Sequence, residues 1–302
     1  MFHVKHNTMQ EIKRCPICDS DKLISFLTVV DYSISKEEFN IKKCDNCGFK
    51  ITSPRPTDDE LPAYYASEDY VSHSDTQKGI INYLYQKVKG VTLKQKVKLI
   101  SGLTTSRTLL DVGCGTGDFI KFAADNNWGV TGLEPDKGAR CLALNKLPGK
   151  VFPIDNLFKL SPGGYGIITM WHVLEHVSEL NKYIAQLYLL LEDNGRLIIA
   201  LPNPESADAK HYKKYWAAYD VPRHLYHFSK KNITALASKH GFKLDTIKPM
   251  VFDSFYVSML SEKYKNGNVF FAASNGLVSN LKGRKTLNHS SLIYIFSKKL
   301  PE

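Results

Sequence analysis

The residues best equipped for chemistry gather at three places. The first is Leu109-Leu110-Asp111-Val112-Gly113-Cys114-Gly115-Thr116-Gly117, an apolar run holding one acid and leading into three alternate glycines. Glycine has no Cβ, so the backbone can turn tightly here and lie directly against a ligand. The G-x-G-x-G spacing differs from the dinucleotide fingerprint, which needs a glycine or alanine where Asp118 stands. Glu134 closes the next apolar run, Trp128 to Leu133, and is placed to accept two charge-assisted hydrogen bonds from a ribose diol. The second place is the cysteine set Cys15, Cys18, Cys44 and Cys47, two C-x-x-C pairs. Four thiolates suit a tetrahedral Zn2+, and an all-cysteine set leaves no open position, so such a zinc is structural. A redox dithiol is the competing use. Cys114 and Cys141 stand alone. The third place is a pair of histidine-bearing stretches. Met170-Trp171-His172-Val173-Leu174-Glu175-His176 follows an apolar run. Tyr219-Asp220-Val221-Pro222-Arg223-His224-Leu225-Tyr226-His227 comes later in the chain. His172 and His224 are the candidate general bases, a role worth about 10²–10⁴-fold in rate. Structural, hydrogen-bonded histidine is the other reading of both. Arg223 could bind an acceptor phosphate or carboxylate, or simply pair with Asp220. His172 to His176 also spells H-x-x-E-H, a metalloprotease pattern. That motif belongs within a helix, whereas Ile167–Trp171 reads as a strand running straight into it, so the peptidase reading is rejected.

These residues need elements to carry them. Strand patterns occur at Thr108–Val112, Val130–Glu134, Val151–Ile154, Ile167–Trp171 and Arg196–Leu201, with helical patterns Gly117–Asn126, Asp136–Asn145 and Ser178–Leu191 between them. This alternation predicts an α/β fold with a doubly wound, mostly parallel sheet. In such a sheet ligands lie at the carboxyl ends of the strands, where the glycine loop and His172 fall. Residues 229–240 read as a further helix, capped by Ser229 and stopped by Gly241. Phe242–Ile247 and Ser291–Ser297 read as the last strands. Residues 80–100 have helical spacing and lead into the sheet, and Glu175 with His176 is expected to anchor the helix that follows them. The expected organisation is a zinc-ribbon module with a loose N-terminal tail over 1–53, a linker with helix over 54–107, and a main domain over 108–302. A covering insertion at about 252–286 is too long for a hairpin loop.

The glycine loop, Glu134 and the strand alternation together resemble the class I S-adenosylmethionine-dependent methyltransferases. The Met170–His176 stretch is similar to the M-E-x-L-E-H stretch of ubiquinone-biosynthesis O-methyltransferases, with His172 in the first acidic position; that departure leaves a metal role there unsupported. The resemblance implies a seven-stranded Rossmann-like sheet ending in an antiparallel edge strand at Leu292–Phe296, and S-adenosyl-L-methionine as cofactor. It implies cofactor contacts at Asp111, Gly113, Gly115, Gly117 and Glu134, at Asp155 and Asn156 beside the adenine, and at Tyr70 among the tyrosines Tyr64, Tyr65 and Tyr70 toward the methionyl carboxylate. No Asn/Asp-Pro-Pro-aromatic motif follows the fourth strand and no Pro-Cys pair is present, so methylation on oxygen or carbon is favoured. Zinc modules precede such domains both in deoxysugar C-methyltransferases and in a group of rRNA guanine methyltransferases. The expected acceptor is a small molecule, a sugar or a glycan or lipid intermediate. An RNA methyltransferase is the alternative, and a non-catalytic cofactor-binding protein a third reading.

Composition sets the outer bounds. With 43% hydrophobic and 23% charged residues over 302 positions, the chain is ordinary for a globular protein and can bury a full core. No apolar run is long enough to span a bilayer and Met1 to Arg14 lacks an apolar signal core, so a cytoplasmic location is expected. The net charge of +10 suits an anionic partner, RNA among them, or is a solvated basic surface.

Overall fold

The computed structural model describes residues 9–65 and 80–299. The described residues begin with β1 (Met9–Gln10), β2 (Leu23–Val30), β3 (Glu38–Cys44), β4 (Lys50–Thr52) and β5 (Arg55–Pro56). β2 and β3 form the antiparallel hairpin, and β4 pairs antiparallel on the other side of β3. Residues 9 and 10, expected within a loose tail, instead pair with β5.

After α1 (Ile80–Ser101) strands and helices alternate as β6 (Thr108–Val112), α2 (Asp118–Ala124), β7 (Gly129–Leu133), α3 (Lys137–Lys146), β8 (Val151–Phe152), β9 (Tyr165–Trp171), α4 (Leu180–Leu190) and β10 (Leu191–Pro202). Then come α5 (Ala207–Tyr212), β11 (Tyr226–His227), α6 (Lys230–Lys239), β12 (Phe242–Met250), α7 (Asp253–Tyr264), α8 (Val269–Thr286) and β13 (Ser291–Lys298). Local chemistry starts the helices: the Asp136 carboxylate accepts from the Ala139 N–H at 2.7 Å, and Ser229 with Asn232 makes a capping box. Gly241 stops α6 at φ +84°.

The seven-stranded sheet has the order β12-β13-β10-β9-β6-β7-β8. β6 to β10 are mutually parallel and β13 is antiparallel to both its neighbours. The antiparallel direction of the last strand is as expected, but its place is not: β13 lies inside the sheet and β12 takes the edge. Burial explains this. β13 is apolar and covered over most of its length, whereas β12 alternates with exposed polar residues and contains Pro249, which an edge tolerates. Alternate residues feed two cores. Leu109, Ile167, Ile198 and Ile295 pack with Val97, Ile100 and Ile120 on one face. Leu110, Ile168, Ile199 and Phe296 pack with α4 and α6 on the other.

The second core also holds Cys15, Cys44, Phe49 and Ile51 from the cysteine module. β11, far along the chain, pairs antiparallel with β4 and completes a four-stranded sheet. The module and the main sheet therefore share one interior across the sequence boundary at Pro54. No helix among the described residues is long and apolar enough to cross a membrane.

Candidate active site

All three loop glycines are left-handed, at φ +74°, +56° and +80° for Gly113, Gly115 and Gly117. Their surroundings differ. A Cβ on Gly113 would overlap a Val173 methyl, and one on Gly117 would come within 2.9 Å of Ala143 Cβ. A Cβ on Gly115 would meet nothing within 4 Å. The outer glycines let the loop pack, and the middle one leaves the backbone bare toward open space, as a ligand cradle requires. Glu134, just past the end of β7, is buried. Its Oε2 accepts from the Gly115 N–H at 2.7 Å and its Oε1 from the Asp136 N–H at 2.9 Å. Burial pushes its pKa up, against those two bonds. A carboxylate has about four lone-pair positions, so holding the loop leaves capacity for a diol.

Asp111, on β6, is buried and accepts from the Thr169 hydroxyl at 2.5 Å. Burial raises its pKa to about 7, opposed by Thr169 and by Lys96. Lys96, on α1, has its ammonium 4.0 Å from the Trp171 ring centroid, and burial lowers its pKa to about 8. Asp155 is exposed and Asn156 half-buried on the 3₁₀ turn Ile154–Lys159 after β8. Tyr64 packs in the interior and donates to Glu37, and the Tyr65 hydroxyl lies 2.9 Å from His176 Nδ1. Tyr70 lies outside the described residues.

His172 follows β9 with φ +57°, a conformation that L side chains seldom adopt. Its Nε2 lies 3.0 Å from Asp253 Oδ2 and its Nδ1 3.4 Å from Glu175 Oε1. Burial disfavours its charge, but the two carboxylates outweigh burial and raise its pKa to about 10. Both ring nitrogens of His172 therefore face carboxylates, which favour its charged form. It clasps Asp253 at the start of α7.

His224 is buried, with Nδ1 2.9 Å from the Ala218 carbonyl oxygen and Nε2 4.0 Å from Asp220 Oδ2. Its ring meets that of His176 edge-on at 4.6 Å. His176 Nδ1 lies 3.0 Å from the Arg223 carbonyl oxygen, and burial together with His224 lowers its pKa to about 4. Glu175 is 1% exposed, and its Oε1 faces His172 Nδ1 at 3.4 Å. The expected anchoring role for Glu175 and His176 does not hold: both lie in the 3₁₀ turn Leu174–His176, ahead of α4, and face His224. Arg223 is not open to an acceptor. It is 1% exposed and bonds Asp31 at 2.9 Å and Asp220 at 2.7 Å. His227 is buried beside Thr52 at 3.2 Å and belongs to the β4–β11 join. Thr52 donates through its hydroxyl to the His224 carbonyl at 2.7 Å and through its N–H to that of Leu225 at 3.0 Å. The cysteine module thus braces the segment bearing His224.

In that module Cys15 and Cys47 sulfurs are 3.5 Å apart, as are those of Cys18 and Cys44, and all four lie within 4.8 Å of one another. A tetrahedron of sulfurs about 2.3 Å from zinc has edges of about 3.8 Å, so the set suits that ion. Cys15 accepts from the backbone of Cys18 and Ile17, Cys18 from Ser20, and Cys47 from Phe49, the N–H groups that stabilise thiolates. Gly48, at φ +76°, turns the chain after Cys47.

Lys96, Thr169 and Asp253 were missed from sequence. Lys96 shares the helix face of Leu93, Val97 and Ile100, and a lysine on an apolar face was the available signal. Asp253 meets His172 from the first residue of α7, 81 positions along the chain.

A family model described as a methyltransferase domain matches residues 85–247, just over half of the 302-residue chain. The chain is 27% identical over 116 residues to a ubiquinone biosynthesis O-methyltransferase of Bordetella avium (strain 197N), covering 35% of this chain and 47% of that protein. It is 30% identical over 105 residues to an uncharacterized methyltransferase of Alkaliphilus oremlandii (strain OhILAs), covering 33% of this chain and 48% of that one. The matches span about half the length of these curated relatives. Among solved structures, magnesium protoporphyrin IX methyltransferase from Synechocystis PCC 6803 with bound SAH aligns at 16% identity and TM-score 0.53, covering 80% of this chain and 100% of that one. Haemonchus contortus phosphoethanolamine N-methyltransferase 2 in complex with S-adenosyl-L-methionine aligns at 16% identity and TM-score 0.53, covering 83% of this chain and 63% of that one. At such identities the likeness is one of fold.

Proposed function

We propose that this chain, which belongs to the methyltransferase domain family, transfers a methyl group from S-adenosylmethionine to an oxygen or carbon of a small-molecule acceptor such as a sugar or a glycan or lipid intermediate. The observation that carries the cofactor reading is the loop whose middle glycine, Gly115, opens onto empty space while its N–H is held by the Glu134 carboxylate. Glu134 takes the ribose diol, Asp111 and Lys96 set the charge at the strand ends, and Asp155 and Asn156 flank the adenine. The cofactor supplies an electrophilic methyl on a sulfonium. The chain has to align the acceptor in line with it, and alignment alone can lower a barrier by about 7–11 kcal/mol in favourable model systems.

Acceptor handling falls to Glu175, His176 and His224. Glu175 pairs with His172 at 3.4 Å, next to Val173, which abuts Gly113, and the His176 ring meets that of His224 at 4.6 Å. α7 and α8 form the covering insertion over this end of the sheet, with Asp253 reaching His172. We assign a structural zinc to Cys15, Cys18, Cys44 and Cys47.

The test is transfer of labelled methyl groups into a fractionated cell extract. Label in a small-molecule or glycolipid fraction, lost on His224→Ala with cofactor affinity unchanged, is the expected result. The net charge of +10 favours RNA as the second reading. Label in RNA, with binding that falls steeply between low and moderate salt, would replace the first acceptor class by the second.

A further inference from the structure

The covering hairpin of α7 and α8 is built inside out. Its buried face is mostly polar or small, and its solvent face is mostly apolar. On α7, Ser254, Ser258, Ser261 and Glu262 are buried, whereas Phe252, Phe255 and Met259 are exposed. On α8, Ser279 and Asn280 are buried. There Phe270 is 83% and Phe271 63% exposed, and Leu277, Val278 and Leu281 are exposed after them. At 3.6 residues per turn these five side chains fall within an arc of roughly 120°. Hydrogen bonds fix the orientation. The Ser279 hydroxyl donates to Asp208 at 2.6 Å, the Tyr212 hydroxyl to Glu262 at 3.0 Å, and Ser261 accepts from the Ala217 N–H at 2.9 Å. Turning either helix to bury its apolar face would strip these buried groups of their partners. The helices approach closely at Gly276, where a Cβ would come within 3.1 Å of the Phe255 Cα, so the two outward stripes adjoin. Single apolar residues on a surface need no explanation, but a contiguous aromatic and aliphatic face marks a partner.

We propose that this face lies on the surface of an anionic bilayer. Charge selects that partner. Between Glu262 and Glu302 the sequence holds seven Lys and Arg residues and no acid. Lys282, Arg284 and Lys285, all exposed, flank Leu281 at the end of the stripe. An apolar helix face rimmed by cations seats in the headgroup layer, with its rings and aliphatic chains at the acyl boundary and its cations on phosphates. Neither helix is long and apolar enough to cross the bilayer, so the hairpin rests on it. A second copy of the chain would set this acid-free segment against itself, like charge to like. Nucleic acid would take the cations and ring faces but leave the aliphatic residues in water. Asp253, the first residue of α7, lies 3.0 Å from His172, so the docked face starts at the reaction end. That placement suits an acceptor held on a lipid, a consequence that rests on the methyl-transfer reading; the docking itself does not.

The test sediments the full chain with vesicles of equal parts phosphatidylcholine and phosphatidylglycerol, and with vesicles of phosphatidylcholine alone. Wild type is expected to pellet with the mixed vesicles and to bind the neutral ones more than about tenfold more weakly. Phe270→Ser combined with Phe271→Ser should weaken binding to the mixed vesicles more than about tenfold. Lys282→Gln combined with Lys285→Gln should weaken it as well and flatten its dependence on salt. All four side chains are exposed, and melting curves check that both variants fold as wild type does. Wild type that stays in the supernatant with both kinds of vesicle overturns the docking, as does a folded phenylalanine variant that pellets like wild type. A dimer by light scattering that the phenylalanine variant turns into a monomer, without vesicle binding, assigns the face to a second copy and overturns the proposal. RNA held through Lys282 and Lys285 by a chain indifferent to vesicles overturns it too. Vesicle binding without methyl transfer to any fraction keeps the docking and removes the proposed function; methyl transfer by a chain that ignores vesicles does the reverse.

Discussion

At the scale of single residues, glycines that look alike in sequence have separate duties. Gly115→Ala introduces a methyl into open space at φ +56°, a conformation costing about 1–2 kcal/mol for an L residue. The fold should survive that, while calorimetry should find cofactor affinity lowered more than tenfold, on the order of 1.4 kcal/mol or above. Gly113→Ala drives its methyl into the Val173 side chain and should show the larger loss of stability in urea. Equal behaviour of the two variants would refute the division of roles. His172 gives a pH signature. Its pKa is raised from an ordinary 6.5 to about 10 by Asp253 and Glu175 despite burial. A raised pKa contributes stability that is complete below about pH 6.5 and lost as pH climbs toward 10. The stability gap between wild type and His172→Gln should therefore narrow across that window. A gap that stays constant or widens on going alkaline contradicts the pairing.

At the scale of elements, the deciding contact is between the β2–β3 turn and the segment before β11. Asp31 lies in that turn, where it accepts from the N–H groups of Ser33, Ile34 and Ser35 and from the Arg223 guanidinium. Arg223→Met would leave Asp31, which is buried, and Asp220, which is half-buried, without their cation. Breaking a buried pair in this way costs about 3–5 kcal/mol, so chemical denaturation should register a loss of that order. A change below about 1 kcal/mol would mean that water or another cation reaches the pair. Strand and helix positions were readable from the apolar period, to within a few residues at each end. The order of β12 and β13 was not, because adjacency in a sheet depends on which strand needs burial on both sides, and the resemblance alone placed the last strand at the edge.

At the scale of the whole molecule, the cysteine module is part of the main interior. Phe49 stacks on Tyr226 with ring centroids 5.6 Å apart, and β4 pairs with β11. Removing the zinc proposed for the four cysteines should accordingly lower one shared unfolding transition, seen by calorimetry, because metal-binding free energy is folding free energy for such a site. A separate low-temperature transition, with the main one unmoved, would show the module to be an independent unit.

The amino-acid order by itself determined what local rules control: glycines where the backbone must turn left-handed, cysteines paired at knuckle spacing, an acid within one apolar run and another closing the next, and a strand–helix alternation that admits few topologies. Only the tertiary structure decided which distant groups share a space. It set His172 between Glu175 and Asp253, withdrew Arg223 into a buried ion pair with Asp31, and turned Glu175, His176 and His224 toward one another. The physical reason is range. Backbone sterics and side-chain periodicity act over a few residues, whereas the charge state and partners of a buried group depend on whatever the long connections bring within a few ångströms of it.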